Sequence, residues 1–130
     1  MSTLGPKFFE FDFEDGDIAI ATELPIAPFG KALFIAADNS SDSRLDLEEL
    51  IKSWDKLWPK MLKKLQREIE NYGTETDLME DRFIGSLQRC DTSHFMGNRS
   101  KLFLRLEFEE PPLWDFFLRG RRIIHFQPVF

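Results

Sequence analysis

The chain has 130 residues, 42% of them hydrophobic and 31% charged, with a net charge of −6 and a single cysteine, Cys90. That size and balance exclude a disordered chain and fit one domain, residues 1–130, that buries its own core. One thiol excludes an internal disulfide and any four-cysteine zinc site. No run approaches the roughly 18 apolar residues of a membrane helix, and residues 1–13 lack the basic start and apolar stretch of a secretory signal, so a cytoplasmic protein away from membranes is expected.

Residues 7–14, KFFEFDFE, alternate with the period of a strand. Phe9, Phe11 and Phe13 form its expected buried side, and Phe8, Glu10, Asp12 and Glu14 its expected outward side. Asp15-Gly16 is a tight-hairpin signal. Residues 17–24 alternate again, with Ile18, Ile20, Thr22 and Leu24 on one side. Pro25 and Pro28 mark a loop, and residues 31–37 are short and apolar enough for a third strand. A polar loop, 38–43, precedes the strongest pattern in the chain, with Ser43 or Asp46 as the expected helix cap. Leu47, Leu50, Ile51, Trp54, Leu57, Trp58, Met61, Leu62, Leu65, Ile69 and Tyr72 recur at spacings of three and four, an apolar face of about seven turns. Lys52, Lys56, Lys60, Lys63, Lys64 and Arg67 occupy the other faces, and Gly73 is a natural terminator. Pro59 lies inside the run. The stripe keeps its phase across it, which predicts one kinked helix in place of two.

Residues 74–81 read as a polar loop, 82–89 as a strand, and 91–100 as a loop containing Gly97-Asn98. Residues 101–108, KLFLRLEF, alternate with Leu102, Leu104, Leu106 and Phe108 inward and Phe103, Arg105 and Glu107 outward. Pro111-Pro112 ends that strand. Residues 113–118 and 122–129 flank Arg119-Gly120-Arg121 as a final hairpin, with 113–118 alternatively a short helix. Pro128 fits only at a sheet edge or where pairing ends. The order is β-β-β-α-β-β-β-β. It predicts an α+β two-layer sandwich, an antiparallel sheet of about six to seven strands packed on one long Pro-kinked helix.

The chemistry is sparse. There is no nucleophile elbow, and the seven glycines form neither a phosphate loop nor a dinucleotide fingerprint. Cys90, Asp91 and His94 are the one local cluster of catalytic or metal-ligand types. A structural zinc needs about four ligands, and only His125 remains as a further imidazole. A thiolate nucleophile needs an imidazole within hydrogen-bond reach. The plainer reading makes Cys90 a small hydrophobe ending a strand and His94 a loop residue. No cofactor and no metal are expected.

Charge is unevenly placed. Residues 1–50 hold three basic and eleven acidic side chains, a net of −8, whereas residues 51–130 hold fourteen and twelve, a net of +2. Arg119, Arg121 and Arg122 form the densest basic patch. With Lys60, Lys63, Lys64 and Arg67 they could make an anion or nucleic-acid surface, against which the overall acidity weighs. Glu10, Asp12 and Glu14 line one side of the first strand, with Arg105 and Lys101 as candidates to oppose them. Rings at Phe8 and Phe103 on outward faces suggest that something covers the second face of the sheet. These features predict a non-enzymatic protein-interaction domain with a protein partner or self-association as a homodimer, using a face of Phe8, Glu10, Asp12, Glu14, Phe103 and Arg105, and no nucleic acid. The alternative is an enzyme or small-ligand protein with a pocket between helix and sheet, drawing on Cys90, His94 and His125.

Overall fold

The structure, a computed structural model, describes residues 8–72, 83–90, 100–109 and 112–130. Among these residues, seven strands and one helix follow the expected order: β1 (Phe9–Asp12), β2 (Ile18–Pro25), β3 (Lys31–Ala36), α1 (Ser41–Tyr72), β4 (Phe83–Arg89), β5 (Leu102–Phe108), β6 (Leu113–Arg119) and β7 (Arg122–Val129). The strands lie in one sheet in sequence order. Neighbours joined by hairpins or loops pair antiparallel. β3 and β4 pair parallel, because the chain between them returns along α1 before the next strand begins. Residues 113–118 form part of β6 and not a short helix, since they are paired on both sides by β5 and β7.

α1 begins earlier than Ser43 or Asp46. Ser40 caps it: its hydroxyl accepts from the Ser43 N–H at 3.2 Å and its carbonyl from the Arg44 N–H at 3.1 Å. Asp38 braces this cap, accepting from the Ser40 N–H at 2.9 Å and the Ser43 hydroxyl at 2.6 Å. Hydrogen bonding from Ser40, and then from Ser43, holds the Asp38 carboxyl at about 2, below its ordinary 3.8. Asp46 is instead turned inward, where it pairs with Arg89 at 2.8 Å. The helix continues unbroken through Pro59 to Tyr72. Pro59 and Asp55, whose carbonyl loses its usual donor, are both exposed, so water can replace the missing bond.

The buried stripe of α1, Leu47, Leu50, Trp54, Leu57, Trp58, Met61 and Leu65, packs on Ile20, Leu24, Phe34, Leu87, Leu104, Leu106, Trp114 and Phe116 of the sheet. Trp54 Nε1 donates to the Pro25 carbonyl at 2.6 Å and Trp58 Nε1 to the Ala27 carbonyl at 2.9 Å. The two stacked indoles, with centroids 5.6 Å apart, thereby fasten the helix to the β2–β3 connection. Gly85 of β4 lies opposite Phe34, and a methyl group there would collide with the Phe34 ring, so the glycine supplies the slot in which that ring sits. Trp114 is fully buried, and among the described residues its Nε1 has no hydrogen-bond partner. An unmet donor of this kind costs about 1–3 kcal/mol.

The opposite face carries a smaller cluster, Ala19, Ala21 and Ile35, with Phe11 and Leu33 against it. This reverses the sides assigned to β1. Phe8 packs on the helix-side core, with the Arg44 guanidinium 5.2 Å from its ring centroid. Phe9 and Phe13 are 42% and 38% exposed. Phe9 pairs with Ala21 and Phe11 with Ala19, which fixes both on the face away from α1. Alternation establishes which residues share a side; it does not say which side the helix covers.

Candidate functional site

The expected contact face does not assemble. Phe8, Glu10 and Asp12 sit on the helix side at the β1 edge, with Glu14 just beyond that strand. Phe103 and Arg105 lie on the other face of β5, four strands away. Neither cation proposed to oppose the β1 carboxylates does so. Lys101 pairs with Glu49 at 3.2 Å. Arg105 makes a two-pronged contact with Asp115, Nε to Oδ1 at 2.8 Å and Nη2 to Oδ2 at 3.0 Å. The Asp115 side chain is 3% exposed against 37% for Arg105. The hydrogen bond to Asp115 raises the guanidinium's affinity for its proton. Phe103 meets Phe117 edge to face at 5.1 Å and lies under Arg105 at 5.4 Å. With Ser86, Gln88 and Glu107, these residues line a depression of about 530 Å³ on the face away from the helix. Its one guanidinium is already committed to a carboxylate, so the depression offers no free cation for an anionic ligand, and Glu107 is its exposed carboxylate.

Of the expected chemical cluster only Cys90 is among the described residues. Cys90 is half-buried after β4, and its Sγ accepts from the Ser100 hydroxyl at 3.4 Å. Asp91 and His94 lie outside the described residues. His125 is on β7, three strands from β4, roughly 14 Å at ordinary strand spacing. It sits 3.1 Å from the Gln127 Oε1 and against the Phe117 ring. Among the described residues no group of His, Cys, Asp and Glu could hold a metal ion. No helix among them is long and apolar enough to cross a membrane.

What the fold does bring together is most of the basic patch. Lys60, Lys63, Lys64 and Arg67 share one side of α1 by their spacing of three and four. That side overhangs β7. The β6–β7 hairpin turns at Gly120, whose φ of 58° lies in the left-handed region that suits glycine. Lys60 Nζ donates to the Arg121 carbonyl at 3.1 Å, tying the helix to the turn. Beyond it, Leu118 pairs with Ile123 and Phe117 with His125, which leaves Ile124 as the extra residue of a bulge. A bulge re-aims side chains, and here Ile123 and Ile124 both reach the same depression. The result is a groove of about 550 Å³ lined by Lys60, Lys63, Lys64, Arg67, Arg122, Ile123 and Ile124. Among the described residues none of its five cations forms an ion pair. Arg119 stays exposed at the end of β6, and Arg121 contributes its carbonyl and not its charge.

The sequence raises a shared surface of these cations but not the two isoleucines beneath them, because the bulge that aims Ile124 has no signature in the residues themselves. Comparison with protein-family models, with curated proteins and with solved structures finds no match.

Proposed function

We propose that the protein is a non-enzymatic binding domain whose contact surface is the groove between the second half of α1 and β7, and that its partner is a protein presenting carboxylates. The observation that carries this reading is the gathering over two isoleucines, in a chain of net charge −6, of five cations that form no ion pair among the described residues. Like charges held together without counter-charges destabilise a helix, and such a cluster is suited to an acidic partner. The groove has no aromatic ring among its described lining residues on which a nucleobase could stack. The acidity of the rest of the chain repels a long polyanion. The rings of Trp54, Trp58, Phe83 and Phe108 fill the space between helix and sheet, which weakens the case for a ligand pocket there. Exposed Phe9 and Phe13 at the β1 edge belong with the same class of function, since apolar rings left in water favour contact with another surface.

Titration of a labelled glutamate-rich peptide about six residues long, followed by fluorescence anisotropy, tests the reading. The protein is expected to bind it, more weakly as salt rises. The Lys63→Glu, Lys64→Glu double variant is expected to lose at least about tenfold in affinity, about 1.4 kcal/mol. Equal binding by the double variant would sink the groove as the contact surface.

A further inference from the structure

We infer that the groove receives an extended acidic segment of a partner polypeptide, which pairs with the outer edge of β7 as an eighth strand and turns its carboxylates toward Lys60, Lys63, Lys64 and Arg67. This rests on the groove being the contact surface and adds how the occupant is held. β7 is the last strand of the sheet, and among the described residues no strand lies beyond it. An edge strand presents a row of backbone N–H and C=O groups to whatever chain arrives. The cations of α1 stand over that same edge, because Ile123 and Ile124 line the groove together with them. A segment laid along β7 would therefore find backbone partners in the plane of the sheet and positive charge above it.

The geometry also dictates the segment's pattern. Side chains of a strand alternate between faces, so every second residue would face α1. Glutamates at those positions would lay their methylenes over the two isoleucines and their carboxylates among the lysines. Pro128 has no N–H, which confines pairing to residues 122–127. The same cations would repel a basic strand, so the edge is selective in charge. A nucleic acid could use the charge but has no strand edge to offer. β1 is itself acidic, alternating and at the opposite edge of the sheet, with Glu10 and Asp12 on the helix side. A second copy of this chain is therefore the occupant the test must separate from a partner.

The experiment uses the full chain and a series of labelled peptides about six residues long, alternating Glu or Asp with Val, Ile or Phe. Each peptide is also made with its backbone amides methylated at alternate positions, in both registers. A single-stranded oligonucleotide of matched charge serves as competitor. The expected result is binding that one methylation register weakens at least about tenfold and the other leaves intact, with slowed hydrogen exchange along β7. The Lys63→Glu, Lys64→Glu variant is expected to weaken it by a similar factor. If both methylated registers bind like the parent while the charge reversal still abolishes binding, strand addition is wrong and the groove stands. If the charge reversal has no effect on peptide binding, the groove reading itself falls. An oligonucleotide that binds more tightly than every peptide and displaces them would make this a nucleic-acid surface. Peptide-free assembly that grows with concentration and is broken by Glu10→Lys plus Asp12→Lys would seat a second copy's β1 in the groove. Absence of binding across the peptide series overturns the inference.

Discussion

Arg105 and Asp115 share one contact but not one environment. The carboxylate is buried and the guanidinium is partly in water. Removing the arginine strands a desolvated charge, whereas removing the aspartate leaves a cation that can turn outward. Breaking a buried pair from its exposed side typically costs about 3–5 kcal/mol, and partial exposure of Arg105 places this case near the lower end. Arg105→Ala is therefore expected to destabilise by about 3 kcal/mol, and Asp115→Ala by about 1 kcal/mol. Urea denaturation of both variants measures the difference. A larger loss from Asp115→Ala would mean that the carboxylate does not depend on Arg105. The pair also accounts for why an acidic residue can sit in the middle of β6 between Trp114 and Phe116. Nothing in the alternation of 113–118 reveals it, because its partner comes from a neighbouring strand.

The start of α1 is the element whose stability is tied most directly to pH. Asp38 carries its carboxyl near 2 in the folded chain, against an ordinary 3.8. A depressed carboxyl contributes stability that is complete above its unfolded value and lost as pH falls through its folded value. The brace on Ser40 and Ser43 should therefore weaken between about pH 4 and about pH 2. Asp38→Asn is expected to melt lower than the parent at neutral pH, with the gap narrowing across that window. A gap that stays constant down to pH 2 would show that the charge on Asp38 is not engaged. The helix itself was legible from its apolar period, and so was its passage through Pro59, because burial on one side leaves a strong repeat. Its cap was not, because Ser40, Ser43 and Asp46 are all acceptable cap residues and the choice among them depends on contacts with Asp38 and Arg89. The sides of β1 were misassigned for a related reason: its rings alternate cleanly, but only the position of α1 decides which rings are covered.

For the molecule as a whole, element order and the two layers follow from local periods, whereas the strand order of the sheet, its one parallel pair of β3 with β4, and the groove, which depends on how far α1 reaches over β7, are encoded by no local pattern. The lysines of residues 60–67 look in sequence like an ordinary solvated helix face. The fold sets them beside Arg122, and among the described residues none of the five forms an ion pair, although Glu68 and Glu70 stand one turn from Lys64 and Arg67. That arrangement opposes stability, since Lys60–Lys64 and Lys63–Arg67 are like charges one turn apart, each pair unfavourable by about 0.2–0.5 kcal/mol. Lys63→Glu replaces one repulsion with an attraction in the favourable orientation, acid before base, so it is expected to stabilise the fold by about 0.5 kcal/mol. For a domain of this size the thermal midpoint should rise by about 2 °C, while binding to acidic probes falls. Raising salt should lift the midpoint of the parent more than that of the variant, because screening relieves a repulsion the variant lacks. A binding surface carries such a trade between stability and function. A midpoint that drops in Lys63→Glu would instead make these lysines structural, with counter-charges of their own, and would remove the main reason for regarding the groove as a surface built for an acidic partner.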